Sequence, residues 1–347
     1  MPIRQRYAGS ASDADAYWMQ RALDQAAKGR GTTSPNPPVG AVLVKNGLLL
    51  AVGHTQPAGQ AHAEVVALNS AGDGAKHATL YVTLEPCSSY GRTPPCTEAI
   101  VRLGVSRVVY GATDPNLAHA GRAQALLEAS GISVRTGVLK DACEQSLRFF
   151  CHWIQTGRPY IIAKAGLSLD GRLNRPNDEP SWLTSPESRR DAQQLRLEVD
   201  AILVGAETIR QDDPQLTLRH PHTPVNRRPL WRIILTRSGA LPEDAKVFND
   251  ELAEHTLTFT DLSWDDLLIV LAEREITSVL IEGGGQVVTS ALKARCVQEM
   301  HLYFAPMISG GTVSMVQEAL PQAITLSKPA VRQIGDDLCV SGPLSYD

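Results

Sequence analysis

The residues that could do chemistry in this chain concentrate between His62 and Cys96. The stretch reads His62-Ala63-Glu64, a short helix-like segment, a strand-like run over 78–84, then Glu85-Pro86-Cys87 and, after eight intervening residues, Cys96. One imidazole and two thiols supply three zinc ligands and leave a fourth position for water. A carboxylate two residues from the histidine, Glu64, can move that water's protons. Three-ligand zinc lowers the pKa of bound water from about 15.7 toward about 7. A structural zinc would want a fourth protein ligand, and none is evident nearby in the sequence. The expected metal ligands are therefore His62, Cys87 and Cys96, with Glu64 catalytic. His54 and His77 read as ordinary surface or turn residues, and His119 and His152 have no metal-ligand spacing.

These groups need elements to hold them. Apolar spacing predicts a helix over 13–28, with Asp13 as its cap and Gly29 as its stop. The prolines of 32–38 exclude helix and central strand. A buried strand follows over 39–44, then the Asn46-Gly47 hairpin turn and a return strand over 48–53. His62 falls at the start of a helix over 61–70, where unpaired N–H groups and the dipole favour nearby negative charge. Cys96 follows Pro94-Pro95 at the entry to a helix over 97–103. A thiol placed there has a lowered pKa and binds metal as thiolate. A strand over 107–111, a turn at 114–116, a helix over 124–130 and an edge strand over 132–134 complete an α/β sheet covered on its faces.

With 347 residues, two domains are expected. The formal charge of −4 gives no reason to expect a polyanion partner, and 5% aromatic residues argue against stacking platforms for single-stranded nucleic acid. No apolar run reaches the roughly 20 residues of a membrane helix, and 1–9 lacks the apolar core of a secretory signal. Six widely spread cysteines point to a reduced, cytoplasmic setting. The expected partner is a small molecule, not nucleic acid or membrane.

The second half starts after a helical stretch over 141–153 and a break over 155–159. The expected domains are 1–154 and 159–347. A strand begins over 160–164, a helix runs over 187–198, and further strands occupy 201–205, 231–235 and 278–281. The stretch 209–214 reads as polar loop. Glu282-Gly283-Gly284-Gly285-Gln286 then forms a Gly-rich turn into a helix over 287–293, where backbone N–H groups can meet a phosphate. No G-x-G-x-x-G follows a first strand, so the Rossmann fingerprint is absent. Composition alone does not make this half an oxidoreductase.

The order His-x-Glu, strand, Pro-Cys, Cys is that of the zinc deaminases. Nucleobase deaminases carry Cys-x-x-Cys; here the longer insert ends Gly91-Arg92-Thr93-Pro94-Pro95-Cys96. With Pro35-Asn36-Pro37 and Val39-Gly40, it resembles the bifunctional riboflavin-biosynthesis family, a pyrimidine deaminase fused to a pyrimidine reductase. Lys164, Ser168-Leu169-Asp170-Gly171-Arg172, Trp182-Leu183-Thr184-Ser185, Asp212-Asp213-Pro214-Gln215-Leu216-Thr217 and the Glu282 turn are similar, in order, to its reductase half. The resemblance implies a cytidine-deaminase-like three-layer α/β domain followed by a dihydrofolate-reductase-like domain. It also implies one zinc per chain, NADPH, and self-association as dimer or tetramer.

The implied substrate is a diamino-ribosylamino-pyrimidinone 5′-phosphate, deaminated and then reduced at C1′ of its open imine form to the ribityl product. The resemblance implies nicotinamide-nucleotide contacts from Gly166, Trp182, Thr208, Asp212, Gly284, Gly285 and Gln286. It implies substrate contacts from Asn36, Arg196, Leu216, Arg219 and Glu282. Arg196 and Arg219 suit a phosphate, since guanidinium binds it bidentately. Arg237, at a strand end, is placed to hold the 2′-phosphate of NADPH, and Lys164 to polarise or orient the sugar. Two positions depart from the family: Ser89 and Thr55 stand where it usually has histidine. They leave room for a paralogue acting on a related pyrimidine nucleotide. A zinc-stabilised binding protein is a further alternative, against which the intact Glu64 speaks.

Overall fold

The structure is a computed structural model in which residues 11–176, 182–221, 223–224 and 226–347 are described. The segment 1–9 and Ser181, which precedes the Trp182 motif, lie outside the described residues. The chain divides into two compact units, one ending at Gly157 and the other beginning at Arg158.

The first unit runs α1 (Ala11–Gly29), β1 (Gly40–Lys45), β2 (Leu48–His54), α2 (Ala63–Ala71), β3 (Thr79–Leu84), α3 (Cys96–Arg102), β4 (Arg107–Ala112), α4 (Arg122–Ala129), β5 (Ser133–Arg135), α5 (Lys140–Ser146) and α6 (Arg148–Thr156). Its five strands lie in the order β2-β1-β3-β4-β5. β1 pairs antiparallel with β2 and β3, whereas β3, β4 and β5 run parallel. Asn46 and Gly47 both have positive φ, 52° and 71°, as a two-residue hairpin turn requires. The stretch expected as one helix over 141–153 is two, because the buried Leu147 leaves helical geometry between them (φ −104°, ψ 7°).

Two glycines set the layers. A Cβ on Gly40 would meet the Ala22 carbonyl of α1 at 1.9 Å, and one on Gly53 would meet the Ala63 carbonyl of α2 at 2.2 Å. Gly53 is paired with Ala41, next to Gly40 along β1, so the two glycines face opposite sides of the sheet. α1 and α2 therefore cover opposite faces, each packed closely on a bare backbone. The core between the layers includes Trp18, Leu43, Leu68, Leu80 and Ile100, all essentially inaccessible.

The second unit runs β6 (Tyr160–Ser168), α7 (Pro186–Glu198), β7 (Ala201–Gly205), α8 (Ala206–Asp212), β8 (Trp231–Thr236), α9 (Lys246–Asn249), β9 (Thr256–Thr260), α10 (Trp264–Glu273), β10 (Ser278–Ile281), α11 (Gly285–Lys293), β11 (Glu299–Ala305), β12 (Thr325–Leu326), β13 (Ala330–Ile334) and β14 (Asp337–Ser345). The sheet order is β12-β14-β11-β6-β10-β7-β8-β9, with β13 added to β14. β11, β6, β10, β7, β8 and β9 are parallel, and β14 closes the other side antiparallel. β7 and β10 are buried along their whole length, as strands covered on both faces must be.

The stretch 209–214 is not a loop: α8 runs through Asp212 and stops where Asp213 turns left-handed (φ 40°). Its polar appearance is a one-sided surface, because Ala206 and Ile209 are buried while Glu207 and Arg210 pair outside at 3.0 Å. The strand that begins over 160–164 continues to Ser168, so Lys164 projects from mid-strand.

Candidate active sites

The starts of α2 and α3 and the loop after β3, which holds Cys87, deliver the three metal-ligand side chains to one point. His62 is the extended cap residue of α2, and Cys96 opens α3 just after Pro95. His62 Nδ1 lies 3.5 Å from Cys87 Sγ and 3.4 Å from Cys96 Sγ. Zinc–nitrogen and zinc–sulfur bonds of about 2.0 and 2.3 Å in a tetrahedron put N and S about 3.5 Å apart, so this donor set fits the ion. Among the described residues, no fourth His, Cys, Asp or Glu joins the cluster.

The electrostatics divide the two thiols: Cys87 is held low, whereas Cys96, expected from its helix start to be lowered, is pushed up by its bond to Cys87, by burial and by the Glu64 charge. The Cys96 S–H donates to Cys87, which together with His62 and the Cys96 backbone N–H (3.1 Å) favours the Cys87 thiolate. Glu64 is 4% exposed; burial, then the negative Cys87, hold its carboxyl above the usual range. It lies within hydrogen-bonding reach of Cys96, beside the triad but not in it.

Several residues around this centre carried no signal of their own in the sequence. Thr93 Oγ1 lies 3.4 Å from His62 Nε2. The buried Glu85 accepts from the backbone N–H groups of Asp114 (3.3 Å), Gly121 (3.0 Å) and Ala123 (3.1 Å), and so ties the loop after β4 to the strand end that carries Cys87. That loop brings His119 Nδ1 to 3.1 Å from Ser89 Oγ. Ser89, one of the two positions where the resemblance implies histidine, is thus met by an imidazole from a different loop. Thr55 is buried, and its hydroxyl accepts from the Val39 N–H at 3.1 Å, so it braces the start of β1. Asn36 sits in the turn before β1, its carbonyl accepting from the Thr33 hydroxyl at 2.9 Å.

In the second unit the candidate residues gather at the carboxyl ends of parallel strands, where open α/β sheets place their ligands. Ile281 pairs with Ala163, so the next residues, Glu282 and Lys164, are neighbours; Lys164 Nζ is 3.9 Å from Glu282 Oε2. α7, capped by Ser185, which accepts from the Ser188 N–H, carries Arg196 to the same carboxylate. Arg196 Nε and Nη2 donate to the two Glu282 oxygens at 2.6 and 2.8 Å, and Nη1 donates to the Thr217 carbonyl at 2.8 Å. The Arg196 fork is thus committed to Glu282 and is not free to grip a phosphate. Burial pushes the Glu282 carboxyl up, but the Arg196 and Lys164 charges outweigh it and hold it at about 2. Arg219 is exposed and close enough for its charge to lower Glu282 as well. Leu216 is buried with φ 51°, a costly conformation for a branched side chain.

Gly284 caps α11 with φ 33° and has open space where a Cβ would point, so a ligand phosphate can approach its backbone. Gly285 is glycine for another reason: a Cβ there would meet the Ser314 carbonyl at 2.1 Å. Arg237, following β8, donates to Gln286 Oε1 at 3.2 Å. Thr208 and Asp212 lie on α8, directly after β7. Gly166 backs onto Thr184, and Trp182 is 65% exposed with the Arg189 guanidinium 4.9 Å above its ring.

Two family models match the chain: the cytidine and deoxycytidylate deaminase zinc-binding region over 12–112, and the RibD C-terminal domain over 159–340. The riboflavin biosynthesis protein RibD of Bacillus amyloliquefaciens is 40% identical, covering 93% of this chain and 95% of that protein. RibD of Escherichia coli is 37% identical, with 94% and 98% covered. The chain belongs to the RibD family. A solved RibD structure from Acinetobacter baumannii superposes with TM-score 0.86 at 35% identity, covering 97% of this chain and all of that one. A Thermotoga maritima structure titled as a diaminohydroxyphosphoribosylaminopyrimidine deaminase / 5-amino-6-(5-phosphoribosylamino)uracil reductase gives TM-score 0.85 at 32% identity, with 96% and 99% covered. As a RibD, the chain is a bifunctional enzyme of riboflavin biosynthesis, with a cytidine-deaminase-like zinc-binding half and a dihydrofolate-reductase-like half that uses NADPH. These matches do not favour the alternatives of a paralogue or a binding protein without deaminase activity. No helix among the described residues is long and apolar enough to cross a membrane.

Proposed function

We propose that the first unit hydrolyses the amino group of 2,5-diamino-6-ribosylamino-4(3H)-pyrimidinone 5′-phosphate, and that the second reduces the ribosyl chain of the product to give 5-amino-6-ribitylaminouracil 5′-phosphate. The observation that carries the deamination is the three-donor cluster with the buried Glu64 beside it. His62, Cys87 and Cys96 hold zinc, which when bound supplies the Lewis acidity that makes water a nucleophile near neutral pH. Glu64 takes a proton from that water and returns protons to the ring nitrogen and the departing amine, so one water is consumed and one ammonia released. Asn36 and the loop over 88–95 hold the pyrimidine and its ribose phosphate.

In the second unit NADPH, when bound, would supply the hydride that reduces C1′ of the open imine. Gly284, Gly285 and Gln286 receive its phosphates at the start of α11, with Gly166, Trp182, Thr208 and Asp212 around the nicotinamide nucleotide and Arg237 at the 2′-phosphate. Lys164 and Glu282 orient the sugar, Leu216 packs against the substrate, and Arg219 meets its phosphate. Arg196 acts through Glu282, which its fork holds in place. Six unpaired cysteines are consistent with work in a reducing cytoplasm. Membership of the RibD family is the support for a homodimer or tetramer.

The test is product analysis by mass spectrometry. With the diaminopyrimidine phosphate alone, purified enzyme should replace one amino group by oxygen. With NADPH added, the product should also gain two hydrogens. A product that keeps its amino group would overturn the first assignment, and an unreduced sugar the second.

A further inference from the structure

A metal-bound histidine has a second ring nitrogen, and what that nitrogen meets sets the tautomer and the ring plane. In His62 the nitrogen facing both sulfurs is Nδ1, at 3.5 and 3.4 Å. For Nδ1 to offer a lone pair, Nε2 must carry the proton. Nε2 meets the Thr93 hydroxyl at 3.4 Å. Thr93 reaches this place because the chain folds back on itself: the Gly91 N–H donates to the Thr93 carbonyl at 3.2 Å. Pro94 and Pro95 then carry the backbone straight into Cys96 at the head of α3.

We propose that Thr93 is the positioning residue of the zinc centre: its hydroxyl accepts the His62 Nε2–H and fixes Nδ1 toward the metal. This also gives the eight-residue insert between Cys87 and Cys96 a physical purpose. A Cys-x-x-Cys spacing leaves two residues between the sulfurs, too few to pass outside the imidazole and return. The longer insert brings a hydroxyl acceptor to the ring nitrogen opposite the sulfurs. The inference rests on the zinc reading of the triad.

The test is zinc affinity of the full chain, measured by competition with a chromophoric chelator, for the parent, Thr93→Val and Thr93→Ser. Loss of a histidine's outer partner typically costs 10–100-fold in metal affinity; Thr93→Val should weaken zinc by about that factor, and Thr93→Ser should stay within about threefold of the parent. Thermal unfolding of the metal-free proteins and the NADPH-dependent reduction should be the same in all three. Should Thr93→Val fail to fold, Thr93→Ala is read in the same titration. Zinc binding by the valine variant within about twofold of the parent, or equal losses in valine and serine variants, would overturn the proposal. A parent that binds no zinc would instead overturn the reading of the triad itself.

Discussion

The two active sites are built by opposite strategies. The deaminase centre draws its four principal groups from 35 consecutive positions, 62–96, on two helix starts and the loop between them. The proposed reductase site draws on β6, α7, α8, β8 and the β10–α11 turn, spread from Lys164 to Gln286. In the first, covalent proximity sets the geometry, and the sheet needs only to dock two helices. In the second, the side chains that touch come from distant parts of the chain, and the parallel register brings them together: Glu282 meets Lys164 because Ile281 pairs with Ala163. A local site fails when a ligand is lost; a distributed one fails when packing is lost.

The largest effect should come from removing a ligand. Cys96→Ser, or chelation of the parent, should abolish ammonia release while NADPH-dependent reduction of the deaminated pyrimidine continues. A chelated enzyme that deaminates at the parent rate would break the contrast between the two halves. Next is Glu282→Gln, which leaves the Arg196 guanidinium buried without its anion; breaking such a pair costs about 3–5 kcal/mol. Denaturant unfolding should show this loss in the second unit and leave the first unchanged. The same pair sets an acid limit. Glu282 titrates near 2 in the fold against an ordinary 4.5, so its stabilisation is full above about 4.5 and fades as pH falls toward 2. In Glu282→Gln that acid-dependent component should vanish, and an unchanged acid profile would contradict it.

Gly53→Ala tests the docking of α2. With the Ala63 carbonyl 2.2 Å from the added Cβ, the helix must move off the sheet. Overpacking of this kind costs about 1–3 kcal/mol, and because α2 carries His62 and Glu64, deamination should fall more than stability. Equal activity of parent and variant would show that α2 is not held by this approach. The smallest effect belongs to His119→Ala, which removes the imidazole from Ser89. One hydrogen bond of about 0.5–1.5 kcal/mol should appear as a rise in KM for the deaminase substrate with little change in kcat. No change in KM would leave Ser89 without a functional partner.

How much was legible follows the same divide. The triad, Glu64, the hairpin at Asn46-Gly47 and most strands of the first unit are written in local pattern, because a two-residue turn or a Pro-Pro-Cys helix entry needs no distant partner. Thr93, Glu85 and His119 were not legible, since a hydroxyl, a carboxylate and an imidazole in loops acquire meaning from what the fold puts beside them. The second unit hides more. α8 exposes nearly all its polar atoms and so resembles a loop. β11 carries Glu299 and His301 turned inward, where Tyr160 donates to Glu299 at 3.1 Å and His301 contacts it at 2.7 Å, and these buried charges mask the strand pattern. Arg196 suits a phosphate on chemistry alone; its commitment to Glu282 depends on contacts 86 positions apart.

The most direct measurement is to run both reactions on Glu64→Gln. A general acid–base group contributes about 100–10,000-fold, so ammonia release should fall by that factor while zinc content and the rate of reduction of supplied deaminated pyrimidine stay at parental levels. Ammonia release at the parental rate would contradict the account, and so would simultaneous loss of both reactions from a folded, zinc-loaded protein.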